Sequence, residues 1–468
     1  MVRERIKTAL LTVLILSSVV LSLQIWTSEK LWPEGYDFFS VYPKNFISSV
    51  FSGIKPKDTV NINVTGALDS VFSPGTVMLS YSDGRVLLND LQGQGKDALD
   101  IINSVLTQTF KKNLTVAEET EWQNALKGRN IYADYSVDIG LFEMASFLGV
   151  TGPDNSPVFD SIVISVDESS SGMVPVYLRH SKANKYYKSS VPFDTAEIEN
   201  VFTLLSRNKM LNLSYAYELG LNKKLTGDME KHQKVIIGSY VLLPLDTTNM
   251  TEISPKIPDT TDERAIKAIS NALGFNINTS RHFTQTDETE MFIGSTASLS
   301  VSKNGYFEYI ASSDDTGIKV AEKTDFAGTV AGSAEVLDKI LSEFNLSEET
   351  RLFINTPLIS QGGDKNTLHF DYTYAANPIY MGDDRHGCII TTSGGRITSV
   401  KMYIKNFERV SSGNEKDPLE IIDKLYLMQG EDDIVIEELY CGYLYSPSKM
   451  PLNWFAKTNK SDTITIVE

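Results

Sequence analysis

The chain has 468 residues, room for about three domains of ordinary size, with 41% hydrophobic and 10% aromatic residues to fill their cores. Sixty acidic against 43 basic residues leave a net charge of −17 at pH 7. That balance argues against nucleic acid, and equally against anionic lipid or anionic wall polymer, as a partner. Two cysteines, Cys388 and Cys441, are too few for a disulfide scaffold. They read as buried thiols in strands, with a bridge across the C-terminal part as the alternative.

Residues 8–26, TALLTVLILSSVVLSLQIW, are uncharged throughout. At 1.5 Å rise this run spans roughly 28 Å, close to the hydrocarbon thickness of a bilayer. Arg3, Arg5 and Lys7 precede it against Glu4 alone, while Glu29 and Lys30 follow it. The cationic flank predicts a cytoplasmic tail (1–7), a transmembrane helix (8–26) and an extracytoplasmic body. The run is longer than a signal-peptide core and has no small-x-small cleavage site at its end, so the helix is read as retained. Trp26 and Trp32 suit the membrane interface.

The body begins with VNINVTG (60–66) and TVMLSYSDGRVLLND (76–90), alternating segments of which the second turns at Asp83-Gly84. Helical spacing follows at 97–110 and 115–128, then strand-like runs at 130–137 and 161–168. In the middle, 195–208 reads as a helix and 232–245 as a buried strand or strand pair. The Pro-punctuated stretch 246–263 reads as a surface loop.

Two similar units follow. A helix at 262–275 leads to a hairpin at 297–312 turning on Asn304-Gly305. A helix at 333–347 leads to a hairpin at 387–404 turning on Gly394-Gly395. A third helix, 417–430, precedes strands at 434–446, 452–458 and 462–468. The expected fold class is α+β, with antiparallel sheets packed by helices in about three domains, 27–190, 191–325 and 326–468. The last two share a plan and so a plausible ancestry.

The search for chemistry is mostly a series of exclusions. There is no HExxH, Gly-x-Ser-x-Gly or Walker A loop. GQGKD (93–97) has Asp97 where a phosphate loop needs Ser or Thr. DESSSG (167–172) starts like a calcium loop but reaches Leu178 at position twelve. Ser-x-x-Lys occurs at Ser52, Ser206, Ser300 and Ser446 without a Lys-Thr-Gly partner, which marks coincidence. Seven Asn-x-Ser/Thr triplets carry little weight in a chain this rich in those residues.

His369 and Asp371 fall on one face of a strand, and His386 is the sole further histidine that could join them as metal ligands. Polar residues on the solvent face of a sheet explain them better, because a zinc site needs more ligands. No catalytic residue, metal or cofactor is expected. In the span, Ser18 and Ser22 lie one turn apart and permit close helix approach, and Gln24 can hydrogen-bond to a partner helix. Large body, short tail and single helix together point to protein–protein regulation.

RERIKTALLTVLILSSVVLSLQIWT, with RLFINTPLIS and CIITTSGGRITSVKMYI near the C-terminus, resembles the YycH regulatory proteins. The resemblance covers the whole order of parts. It implies a membrane-anchored accessory regulator of the cell-wall two-component system, acting on its membrane sensor histidine kinase largely through transmembrane contacts. A YycI-like single-pass protein is the second partner it implies. The C-terminal LNWFAKTNKSDTITIVE keeps only part of the family's strongly apolar pattern. The sign of regulation, any extracellular ligand and the oligomeric state stay open, a homo-oligomer among the options.

Overall fold

Alternation and turn chemistry place most of the strands where the sequence suggests. The computed structural model describes residues 73–467, apart from 89–92, 94, 153–156, 168, 170–171, 209, 224–234, 247, 323–324, 361–362, 383–385, 427–433 and 460. The expected transmembrane helix 8–26 and the strand 60–66 lie outside the described residues. Among the described residues no helix is long and apolar enough to cross a membrane.

The first sheet contains β1 (Thr76–Ser80), β2 (Arg85–Leu88), β3 (Thr115–Val116), β4 (Asn130–Gly140), β5 (Val158–Ser165), β6 (Met173–His180) and β7 (Lys185–Pro192). Their order is β2-β1-β4-β5-β6-β7-β3. The β1–β2 hairpin closes with the Tyr81 N–H on the Gly84 carbonyl, at the expected turn.

Both faces of this sheet are covered. Helices α1 (Lys96–Thr109) and α4 (Thr195–Leu205) pack on one side with Ile102, Val105 and Phe202. Helix α2 (Glu119–Lys127) packs on the other through Trp122 against Met78, Val163 and Tyr177. A sheet covered on both faces explains why β5 is buried at nearly every position rather than at every second one.

Helix starts follow local chemistry. Asp194 accepts the Ala196 N–H at 2.9 Å to cap α4. Glu118 and Glu121 form a reciprocal capping box on α2. A short helix, α3 (Leu141–Phe147), follows β4. Its seven residues leave too little periodicity to announce it in the sequence.

A two-stranded ladder joins β8 (Leu213–Tyr215) to β10 (Leu242–Pro244), so residues 232–245 hold two separate short strands, the first being β9 (Val235–Ile237). The segment read as a surface loop is instead β11 (Thr248–Lys256), which pairs with two neighbours and buries Met250 and Ile253. Two register shifts break its alternation. Pro255 is tolerated because the second neighbour pairs only at Glu252 and Ile253.

The remaining elements are α5 (Glu263–Ala272), β12 (Arg281–Thr284), β13 (Glu290–Ile293), β14 (Ala297–Val301), β15 (Tyr306–Ala311), β16 (Ile318–Lys319) and α6 (Phe326–Ser342). They continue with β17 (Thr350–Ile354), β18 (Lys365–Tyr374), β19 (Asn377–Tyr380), β20 (Cys388–Ser393), β21 (Arg396–Tyr403) and β22 (Asn406–Lys416). Helix α7 (Pro418–Tyr426), β23 (Ile434–Leu444), β24 (Met450–Thr458) and β25 (Ser461–Val467) complete the chain.

Among the described residues these strands form one sixteen-stranded sheet along β12-β13-β14-β15-β21-β20-β18-β19-β23-β24-β11-β22, with β9, β16, β17 and β25 paired alongside. Strands of the middle and C-terminal parts therefore alternate within one sheet. Gly305, Gly394 and Gly395 all have positive φ at the two expected hairpin turns.

Helix α6 starts two turns earlier than its apolar spacing suggests. Asp325 caps it by accepting the Gly328 N–H at 2.8 Å. Gly332 is required where the helix crosses residue 320, since a Cβ there would meet Val320 Cβ at 2.6 Å. The helix touches both α5 and α3 and is buried nearly all round, which removes the polar stripe that reveals a surface helix.

Candidate functional site

Three residues that the sequence brackets together do meet. Alternation along β18 puts His369 and Asp371 on one face, and His386 lies against them. The two imidazoles stack with centroids 4.1 Å apart and planes 11° from parallel. His386 Nδ1 lies 2.8 Å from Asp371 Oδ1, so the carboxylate accepts its hydrogen and orients the ring. Asn355 Nδ2 donates to the other carboxylate oxygen, at 2.6 Å. Burial, and secondarily the neighbouring His386, hold the His369 imidazole below its ordinary pKa, while Asp371 works in the opposite direction.

The cluster is held together by ring stacking and by hydrogen bonds to one carboxylate. Among the described residues no group of three or more His, Cys, Asp or Glu is arranged to hold a metal ion. Parallel stacked rings do not aim two lone pairs at one point, which a chelated metal requires. The two concavities described on the molecule also lie elsewhere. One, of about 370 Å³, is bordered by Lys112, Thr115, Tyr177 and Lys188; the other, of about 310 Å³, by Thr261, Ile266, His282 and Glu290.

The cluster is tied to the first sheet by the segment after β17. The His369 N–H donates to Thr356 Oγ1 at 2.7 Å, and the Asn355 N–H donates to the His369 carbonyl at 2.8 Å. A few residues on, the Leu358 N–H donates to the Asp138 carbonyl at 2.7 Å and the Leu358 carbonyl accepts from Gly140 at 3.0 Å. Ser360 N–H then donates to Glu143 Oε1 at 2.8 Å. No residue type announces this strap, because its tie to the first sheet runs through backbone groups of Leu358 and Ser360.

A second acidic group was also not singled out. Asp160 accepts from the Ser161 hydroxyl at 2.6 Å and from Ser181 N and Oγ at 2.6 and 2.5 Å. Asp134 accepts from Tyr132 at 2.9 Å and from Ser136 N at 2.8 Å. Burial, with the Asp160 charge second, pushes the Asp134 carboxyl up to about 6. Every partner is a hydrogen-bond donor from the first sheet or from the turn after β6, which makes this a structural carboxylate pair.

The excluded motifs have ordinary structural uses. Lys96, of the phosphate-loop lookalike, pairs with Asp100 at 2.6 Å in the first turns of α1. Asp167, of the calcium-loop lookalike, accepts the Arg129 N–H at 2.8 Å. Ser446 contacts Ser448 at 3.0 Å while Lys449 turns to Glu252 at 3.7 Å. Cys388 and Cys441 are free thiols in β20 and β23. Ser18, Ser22 and Gln24, the expected partner-binding residues, lie outside the described residues.

Comparison with known proteins agrees with this architecture. No curated protein matches the chain. The structure is similar to the crystal structure of YycH from Bacillus subtilis, with a TM-score of 0.53 at 11% sequence identity, over 88% of this chain and 99% of that one. At that identity the likeness speaks for the fold. The model of the YycH protein N-terminal domain matches residues 4–209, a range that takes in the uncharged run 8–26 as well as the first sheet. Residues 4–209 thus match the YycH N-terminal domain, and the chain shares the YycH fold along most of its length.

Proposed function

We propose that this protein is a membrane-anchored, non-enzymatic regulator of a sensor histidine kinase that controls cell-wall metabolism. The observation that carries this reading is the match to the YycH N-terminal domain, which begins ahead of the uncharged run and continues through the first sheet. The family implies a role in the two-component system of the WalK/YycG kinase. In the arrangement we propose, residues 1–7 are cytoplasmic, 8–26 span the bilayer, and the body is extracytoplasmic. Ser18 and Ser22 form the surface that lets a kinase helix approach, and Gln24 supplies a hydrogen bond near the outer interface. A YycI-like single-pass protein is the second partner.

The competing reading, a wall-polymer binder or wall-modifying enzyme, needs polar groups converging on a cleft. The described concavities lie away from His369, Asp371 and His386. A photo-crosslinker placed in the span in living cells, followed by identification of the adducts, tests the proposal. Adducts with the sensor kinase support it; a span that crosslinks only to lipid refutes it.

A further inference from the structure

We propose that the stacked His369–His386 pair is a proton-responsive latch that fastens the strap Asn355–Ser360, and with it the local seam between β18 of the long sheet and β4–α3 of the first sheet. Three observations connect into one mechanical path. The imidazoles stack at 4.1 Å beside a carboxylate that also holds Asn355. The His369 backbone binds both Asn355 and Thr356. The same strap then supplies the Leu358 bridge to Ile139 and the Ser360 bond to Glu143.

Competition for one carboxylate is how the latch releases. Asp371 is divided between the His386 ring N–H and the Asn355 amide. A proton on His369 creates a cation two residues along the same strand face. Charge-assisted hydrogen bonds are roughly twice as strong as neutral ones. Asp371 therefore turns toward the new cation and leaves Asn355, the first residue of the strap. Positive charge on His369 also disrupts its stack with His386.

The direction of the pH effect follows from the environment. His369 is held below its ordinary value in the folded chain, so the unfolded state binds its proton more readily. The latch is fully closed above the ordinary histidine range, and its stabilisation is lost as pH falls toward the depressed folded value. Other charged or titratable groups lie in register near the cluster: Arg351 opposite Thr373, the Lys401–Glu308 pair at 3.1 Å aligned with His369 through Ile389, and Tyr380, which feels the Asp371 charge. Asp383, Asp384 and Arg385 precede His386 in sequence and lie outside the described residues. At the far end of the strap, Asp138 is paired with Lys182 at 2.8 Å and His180 at 3.7 Å. Asp134, which titrates near 6, is the group whose response has to be separated from that of His369.

Hydrogen exchange on the full-length protein in detergent, corrected for intrinsic rates between pH 7.5 and 5.5, tests the latch. Peptides covering 136–143 and 355–360 should exchange several-fold faster at the acid end. His369→Phe keeps a stacking ring without a proton site and should abolish that acid response, as should His369→Gln. His180→Gln and Asp134→Asn should retain it. The latch is refuted if wild type shows no acid response in these peptides, or if both His369 variants keep it.

Discussion

The Ser161 hydroxyl lies 2.6 Å from Asp160 Oδ1 and 3.3 Å from Asp134 Oδ2, so one hydroxyl bridges two carboxylates on adjacent strands. The pair carries a testable cost. Asp134 is raised from 3.8 to about 6 in the folded chain, chiefly by burial. A carboxyl with a raised folded value destabilises at neutral pH and recovers as pH falls from about 6 toward 4. Asp134→Asn should stabilise the body at pH 7.5 by about 1–2 kcal/mol, less than the full shift at 1.36 kcal/mol per unit because part of the residue is solvated. Urea melts at pH 7.5 and 4.5 check this; the gain should shrink at the lower pH.

Helix α6 offers a test in which two effects oppose each other. Gly→Ala inside a helix ordinarily gains up to about 1 kcal/mol. At Gly332 the new Cβ would meet Val320 Cβ at 2.6 Å and its carbonyl oxygen at 3.0 Å, an overpacking that costs about 1–3 kcal/mol. Gly332→Ala should therefore lower the midpoint of thermal unfolding. Removal of the Asp325 cap by Asp325→Ala should cost about 1 kcal/mol.

Trp122 is 1% exposed and anchors the smaller core beneath α2. Trp122→Ala should destabilise by about 3–5 kcal/mol. In a chain with Trp26→Phe and Trp32→Phe the same substitution leaves Trp454 as the remaining emitter, and its emission should stay native-like until the body unfolds, which separates local from global damage.

Cys388 is fully buried, and burial pushes the Cys441 thiol up to about 12. Neither should react with a water-soluble thiol reagent at pH 8 in the folded body, because the thiolate is the reacting species. Both should titrate after denaturation, without prior reduction. Two equivalents released only after reduction would instead indicate a disulfide.

How much of this was legible in the sequence depended on exposure and continuity. The Asp83-Gly84, Asn304-Gly305 and Gly394-Gly395 hairpins were readable because turn chemistry is local. Helices α1, α2, α4 and α5 were readable because each keeps one buried stripe. Strand β11 was hidden by two register shifts and three prolines in its neighbourhood, and the start of α6 by Gly328 and Gly332 in a helix buried on all sides. His369, Asp371 and His386 could be bracketed from spacing alone. Their link to Asp138 and Glu143 could not, because it runs through backbone groups of Leu358 and Ser360 that no residue type announces.

The central claim is that regulation passes through the span, with the body tuning it. A polar or small-residue contact in the bilayer is worth about 0.6–2 kcal/mol, and about 1.4 kcal/mol shifts a two-state kinase tenfold. The most direct measurement exchanges residues 8–26 for an unrelated span, in cells, and compares wall-gene expression and kinase crosslinking with those of the wild-type chain. The account predicts that the span exchange, and more mildly Ser18→Leu with Ser22→Leu, changes both outputs with membrane insertion intact. Unaltered expression and crosslinking after the exchange would contradict it.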